Sequence, residues 1–374
     1  MSFRYGSGIN KPGFNALAAQ TTTYTYELYT WGQNNLGQLG DGTTVKKSSP
    51  NQIGALTAWL NVGGGAAFTV ATKTDGTFWS WGRNSFGQLG LNNLTNYSSP
   101  KQVGALTNWS EVETRASGVI AVKTDGTLWG WGQNFGGSIG DGTTTYRSSP
   151  VQIGALTTWS KVAGGAQYSL ARKTDGTLWS WGVNNSGQLG LGNLTYYSSP
   201  MQVGALTTWL NIACGDYHSV ATKTDGTLWT WGRGNEGQLG LGNITYYSSP
   251  KQVGALTTWY KVATGQYHTI TIKTDGTLWT WGLNSAGELG LGNTTSYSSP
   301  KQVGALTTWS TIAGGGRFTI AAKTNGTLWL WGNNSNGQLG DGTATTRSSP
   351  VQVGALTTWF TFAGGNDFTI ALKY

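Results

Sequence analysis

From Trp31 to its last residue the chain repeats itself every fifty positions without a gap. The stretch KTDGTLWSWG at 173–182 has close copies beginning at 73, 123, 223, 273 and 323. Trp recurs at 31, 81, 131, 181, 231, 281 and 331, and again at 59, 109, 159, 209, 259, 309 and 359. Pro recurs from Pro50 to Pro350, followed each time by xQ(I/V)GALTxW. Such a period means seven copies of one supersecondary unit, each a fragment of a shared core. A chain of 374 residues would otherwise suggest two or three domains. The repeat argues instead for one, spanning 24–374, preceded by an arm over 1–23 that lies outside the period.

The unit reads as strands. YSLARK (168–173) and TLWSWG (177–182) are short β-rich runs joined by Asp175-Gly176, a pair suited to a tight hairpin. PVQIG (150–154) and TWSKVAG (158–164) supply two more strands, whereas 183–199 is too rich in Gly, Asn and Ser for a helix or a regular strand. Four strands per fifty residues with no helical period predict an all-β protein, a seven-bladed β-propeller. Trp179 and Trp181, two apart on a strand, face one side and are expected to pack on a neighbouring blade. A buried Trp gives on the order of 5 kcal/mol of gross burial, while each ordered residue costs about 1–2 kcal/mol, so a lone blade would not hold. The blades must stack and close into a ring.

The truncated last copy shows where the ring closes. FTIALKY ends the chain as the first strand of a hairpin, and YELYTWG opens the repeats as the second strand. The termini are expected to pair and complete one blade between them, with Leu28 near Ile370.

Charge and cysteine content narrow the function classes. The net charge is +8 with a sequence pI near 9.4, but seven lysines sit at one repeat position, Lys73 to Lys373, and five have an Asp two residues on. We read this ring as a solvated rim; no basic tail points to nucleic acid. Cys214 is the single cysteine and reads as a buried thiol without a disulfide or zinc partner. The first twenty residues have no secretory pattern and nowhere do eighteen apolar residues run together, which argues against Sec export and a membrane-spanning helix.

The run from LWSWGVNNSGQLGLGN through SSPMQVGALTTWLNIACGDYHSVATKTDG (178–226) closely resembles the regulator-of-chromosome-condensation repeat, with its WGxNxxGQLGLG core and GxxHS strand start. The resemblance covers roughly 350 residues and implies a seven-bladed propeller whose termini meet in one blade. It implies function less narrowly, since such proteins include a guanine-nucleotide exchange factor that docks on nucleosomes, regulatory domains of ubiquitin ligases and a bacterial β-lactamase inhibitor. This chain departs from the eukaryotic type: its copies are nearly identical, and the GxxHS histidine remains only as His218 and His268. Uniform repeats look like those of bacteria and phages, and GSGINKPGFNALAAQ (6–20) resembles the leader of phage virion proteins carrying these repeats.

Two histidines and one cysteine offer little for catalysis, and the aspartates are mostly locked in TDG turns. We expect no enzyme activity, metal or cofactor. His218 and His268 occupy equivalent positions and read first as two copies of a structural residue. A loop pattern carries a packing message: Asp41, Asp141 and Asp341 have Lys47, Arg147 and Arg347 six residues on, while Leu91, Leu191, Leu241 and Leu291 have Tyr97, Tyr197, Tyr247 and Tyr297. Direct contacts are expected, ionic in three blades and apolar in four, each ionic one an exposed pair worth about 0–1 kcal/mol.

Variation among copies marks a candidate partner-binding face, because scaffold positions stay identical while free ones drift. It concentrates just before the first hairpin strand and just after the second, so one face is diverse and the TDGT face monotonous. The diverse face is expected to carry Arg83, Phe86, Arg115 and Phe135; Tyr168, Asp216, Tyr217 and His218; Arg233, Glu236, Gln266 and Tyr267; and His268, Arg317 and Asp367. EVETRASGV (111–119) departs most, bringing Glu113 and Arg115 where other copies have small residues. The expected function is a non-enzymatic interaction scaffold, first a phage virion structural or receptor-binding protein located in the particle. Its partner is a protein or glycan on the diverse face, with virion subunits held through 1–23, and neither membrane nor nucleic acid is expected. The alternatives are a soluble, cytoplasmic bacterial binding or inhibitory propeller, and a nucleotide-exchange or chromatin factor.

Overall fold

The computed structural model describes residues 26–55 and 58–374. The arm expected over 1–23 lies outside the described residues. Among those described, the chain forms twenty-eight β-strands, β1 to β28, in seven four-stranded antiparallel sheets. Blade 1 runs β3 (Trp59–Gly64), β4 (Phe68–Lys73), β5 (Phe78–Gly82) and β6 (Tyr97–Gln102), ordered from the central channel outwards. Blades 2 to 6 repeat it over 109–152, 159–202, 209–252, 259–302 and 309–352. The closing blade takes β27 (Trp359–Gly364) and β28 (Phe368–Lys373) from the C-terminus and β1 (Glu27–Gly32) and β2 (Lys47–Gln52) from the N-terminal part. In it Leu28 pairs with Leu372 and Thr30 with Ile370, which closes the ring as expected.

The fourth strand differs from expectation. It spans Arg147–Gln152 and its equivalents, starting three residues before Pro150 and taking in Ser-Ser residues read from sequence as loop. As the outermost strand it is an edge, where Ser and a Pro without N–H are tolerated, and its register slips opposite Gly132.

Tryptophan welds the blades. Trp31, Trp81, Trp131, Trp181, Trp231, Trp281 and Trp331 are completely buried. Each donates its indole N–H to a backbone carbonyl in the preceding blade, as Trp81 does to Gln38 at 3.0 Å, and Trp31 closes the cycle on Gln338 at 2.9 Å. Gly40 and its counterparts make room: a Cβ there would stand 2.5 Å from the Trp81 indole nitrogen, and its φ of +79° suits only glycine. Trp59 and its equivalents lie at 1–5% exposure and meet the Trp79 and Trp81 rings at about 6 Å.

The lysine ring is not a solvated rim. Lys73, Lys123, Lys223 and Lys273 are at most 9% exposed. Lys73 lies 3.9 Å from the Trp79 ring centroid and 5.0 Å from that of Trp59, and the same arrangement recurs through Lys323. Burial lowers the Lys73 pKa, while Asp75 raises it. The Asp75 carboxylate serves the turn, accepting from the Thr77 amide at 2.9 Å and its hydroxyl at 2.6 Å. In the closing blade Tyr29 stands where Trp stands elsewhere, and Lys373 forms an ion pair with Glu27 at 3.1 Å. Cys214 is half-buried on the channel strand of blade 4, and burial raises its thiol well above the usual range.

The loop pattern becomes contact. Asp141 binds Arg147 at 2.7 Å, Asp341 binds Arg347 at 2.9 Å, and Lys47 lies 3.9 Å from Asp41. These pairs are not fully exposed: the aspartate side chains are 5–9% accessible. In two of the other four blades Leu and Tyr pack on one core cluster, Leu91 with Tyr97 and Leu191 with Tyr197. The structure adds a third member. Asp blades carry Thr43, Thr143 and Thr343, whose amides cap the Asp, whereas Leu blades carry Asn93, Asn193, Asn243 and Asn293, each donating to the Tyr hydroxyl at 3.2–3.5 Å.

Candidate partner-binding face

The two variable segments meet at one end of every blade, because the residue after the third strand bonds back to the loop before the second. The Arg83 amide reaches the Ala67 carbonyl at 2.9 Å and the Arg233 amide reaches Tyr217 at 2.9 Å. The TDGT turns and the GALT loops meet at the opposite end, where the Thr74 amide bonds to Ala58. Around the channel mouth on the variable side, the Asp216 backbone amide donates to the Gln266 backbone carbonyl and the Gln266 amide to that of Gly316, both at 3.1 Å. The mouth is therefore ringed by backbone hydrogen bonds between neighbouring blades.

Four of the expected face residues lie beneath the surface: Tyr168 and His218 at 0%, His268 at 1% and Arg115 at 3% exposure. They weld blades and offer nothing to a partner. In six blades the ring at the position of Phe68 lies over a glycine; a Cβ on Gly65 would stand 1.9 Å from the Phe68 ring. Three polar versions reach into the next blade. Tyr168 donates to the His218 carbonyl at 2.5 Å, and His218 and His268 place Nε2 at 3.1 and 2.9 Å from Thr269 and Thr319. Those threonines spend their hydroxyl protons on the carbonyls of Gln238 and Glu288, so each imidazole carries its proton on Nε2. Burial lowers both histidines to about 3.

Blade 2 reverses the arrangement. Gly118 stands where the ring stands elsewhere, and Arg115 stands where the glycine does. A Cβ on Gly118 would stand 2.4 Å from the Arg115 guanidinium, which fills the vacated volume. It donates to the Trp131 carbonyl at 3.0 Å, to the Gln133 carbonyl at 3.1 Å and to the Ser138 hydroxyl. Ser138 is itself the one departure from Gln or Glu at its repeat position. Burial lowers the guanidinium to about 9. That joint change of three residues was the sequence signal that Arg115 is structural.

The remaining residues form three groups. Arg83 lies 5.0 Å from the Phe86 ring and bonds Ser85 at 2.8 Å, and Phe86 meets Tyr146 of the next blade edge to face at 5.7 Å. Phe135, in blade 2, is 50% exposed. On blades 4 and 5, the Arg233 guanidinium lies 5.7 Å from Tyr217 and 5.3 Å from Tyr267 and bonds Asn235, which bonds Glu236 in turn. Gln266 and Asp216 stand at its inner edge. Burial raises Asp216 to about 7, opposed by the charge of Arg233 and a hydrogen bond from Tyr267. Arg317 stays on the surface, its side chain 42% accessible, and binds the buried Glu288 at 3.1 Å and the Ser285 hydroxyl. Burial also raises Asp367, opposed by Arg317, and its carboxylate accepts from Gln338 at 3.3 Å.

An apolar arc escaped the sequence reading. Leu94, Tyr146, Leu194, Tyr196, Ile244 and Tyr246 are 43–64% exposed on the rim of blades 1 to 4. Asn96 and Thr144 stand at the other two of these positions in blades 1 and 2; blades 5 and 6 carry Thr294, Ser296, Ala344 and Thr346, and the closing blade has Thr44 and Lys46 on either side of Val45, which is 61% exposed. The signal was present, since these positions vary among copies, but Leu and Tyr in a Gly-rich loop do not by themselves announce exposure.

The channel holds a cavity of about 220 Å³. Glu111, Glu113, Lys161 and Lys261 line its other end. Burial, reinforced by Glu111 and opposed by Lys161, raises Glu113 to about 8, and burial lowers Lys261 to about 8. Among the described residues no three His, Cys, Asp or Glu side chains converge as a metal site would require.

Fold and face together define a seven-bladed propeller that presents one varied rim on a uniform scaffold. The chain belongs to the regulator of chromosome condensation (RCC1) repeat family: the RCC1-like domain matches 161–374, and RCC1 repeats match 27–72, 75–119 and 125–172. No curated protein sequence matches it. Among solved structures, human WBSCR16 superposes with a TM-score of 0.85 at 21% identity, covering 93% of this chain and 98% of that one. Prp20p from Saccharomyces cerevisiae gives 0.82 at 19% identity, covering 94% and 92%, and the yeast RCC1 (Prp20) bound to Kap60 gives 0.83 at 18%, covering 97% and 95%. At these identities the likeness shows the fold alone.

Proposed function

We propose that this propeller is a non-enzymatic protein-binding scaffold whose partner docks on the variable face across blades 1 to 4. The observation that carries the reading is the clustering of exposed Leu, Ile and Tyr on the rim of blades 1 to 4, joined to the Arg83 and Arg233 clusters on the same face. Aromatic and arginine side chains held rigid beside apolar surface are the usual anchors of protein interfaces. Protein partners also suit the fold: Prp20p has binding properties to Gsp1p and histones, and a complex with Kap60 is known.

The test uses the protein's own blades as a guide. Replacing Leu194→Thr, Tyr196→Ser, Ile244→Thr and Tyr246→Ser gives blades 3 and 4 the residues blade 5 already carries, so the fold is expected to tolerate them. Wild-type protein and variant are compared against a partner identified by cross-linking in the source cell. The expected result is at least about a tenfold loss of affinity with an unchanged melting temperature. Equal affinity would overturn the docking site. Assembly into a virion through residues 1–23 is a narrower form of the proposal, supported by the leader's likeness alone, and mass spectrometry of purified particles tests it.

A further inference from the structure

The central channel, away from the partner-binding face, carries a side chain that the ring does not need. At one position of the channel strand six copies have Gly63, Ala163, Ala213, Ala263, Ala313 and Ala363; the seventh, on β7 (Trp109–Arg115), has Glu113. Glu113 borders both the 220 Å³ cavity and the smaller space at the other end of the channel. Among the described residues its carboxyl has no hydrogen-bond or ion-pair partner, and Lys161 acts on it only at longer range. It sits deep enough that burial raises its pKa to about 8, yet it is still accessible from the cavity. A carboxyl in such a place costs stability and gains no contact within the protein, where Ala serves the other blades.

We propose that the channel binds a small primary alkylammonium ion, with Glu113 as its counter-charge. The wall suits hydrocarbon, since Val62, Ile212, Ile312 and Phe362 line it. Each channel strand is the edge of its sheet, so a row of backbone carbonyls without sheet partners faces the channel and accepts from the three N–H donors of an ammonium. The cavity has room for about seven waters, or for one short alkyl chain with its head group. Charge narrows the ligand further. Lys161 and Lys261 at the far end repel a second positive charge, which favours a monoamine over a diamine. A divalent metal ion would need several anionic ligands, and among the described residues no three converge. The groups that face Glu113 are Glu111 on its own strand, Lys161 on the next, Lys261 beyond it and the Cys214 thiol, while the neighbouring strand of blade 1 offers only Asn61 and Gly63. Below pH 8 the empty site holds a proton on Glu113, so an arriving ammonium expels that proton to solvent as the carboxylate forms.

Titration calorimetry of the full chain with n-butylammonium chloride, in phosphate and in HEPES at equal ionic strength, tests this. The expected result is one site per chain, an affinity that rises at least about tenfold from pH 6 to pH 8, and release of about 0.9 proton per ion bound at pH 7. n-Butanol, with the same chain and no charge, should bind at least about tenfold more weakly at pH 8. Glu113→Ala installs the residue of the other blades, so the fold is expected to stand; it should weaken butylammonium at least about tenfold and abolish proton release without lowering the melting temperature. Glu113→Gln keeps the size and removes the charge, and should also bind without releasing a proton. No binding of butylammonium, equal binding of butanol, proton release that survives Glu113→Gln, or affinity retained in Glu113→Ala overturns the proposal.

Discussion

At the scale of single residues, identity among copies did not separate surface from core. Arg115, His218 and His268 vary as surface residues do, yet they fill inter-blade volumes that Phe fills elsewhere. The histidines have a measurable consequence. Their folded pKa, about 3, lies below the unfolded value near 6.5, so the unfolded chain takes up protons that the native one refuses. Their contribution is intact above pH 6.5 and is lost as pH falls towards 3, by up to about 1.4 kcal/mol per pH unit for each histidine. Glu113 and Asp216, raised to about 8 and 7, act with the opposite sign, since the native state holds their protons more tightly. The variant H218F/H268F, which adopts the Phe of other blades, should therefore be more stable than wild type at pH 4–5 and should lose that advantage by pH 7.5. Urea denaturation across that range measures it, and parallel pH profiles would refute the assignment.

At the scale of elements, the covarying loops act as units. Asp141 accepts from Asn134 at 3.2 Å, from the Thr143 amide at 3.1 Å and hydroxyl at 2.8 Å, and from Arg147. Burial alone would raise its pKa, but the bonds from Thr143 and Arg147 outweigh it and hold the carboxyl below its ordinary value. Asp141→Leu alone strips those partners and should cost about 2 kcal/mol. The set D141L/T143N/R147Y installs the alternative loop complete and should recover most of that loss in chemical denaturation. The Asp–basic and Leu–Tyr alternation was legible in sequence because two residue types changed together. The Thr and Asn that complete it were not singled out, since both are ordinary loop residues. The extra strand residues around Ser148 and Ser149 were hidden for a related reason: edge pairing asks little of side chains.

At the scale of the whole molecule, closure is made by pairing, aromatic stacking and one ion pair. Tyr26 stacks on Phe360 at 4.5 Å and meets Tyr374 at 6.5 Å, while Glu27 and Lys373 clamp the same seam. Removing 368–374 deletes β28 and leaves β27 without its partner. Unfolding should then lose its single cooperative step and shift down by well over about 5 °C, which calorimetry would detect. Joining the termini through an Asp-Gly turn and opening another hairpin should instead preserve the ring.

By itself the sequence determined the repeat, its period, the blade count and the closing seam, because these follow from hydrophobic spacing and from where the chain breaks its own pattern. Only the tertiary structure decided which varied residues are exposed, that the lysines lie on tryptophan faces, and that Leu, Ile and Tyr of blades 1 to 4 stand exposed on the rim. Those outcomes depend on what the next blade places opposite each side chain, and two positions of this chain that touch are commonly fifty residues or a whole ring apart.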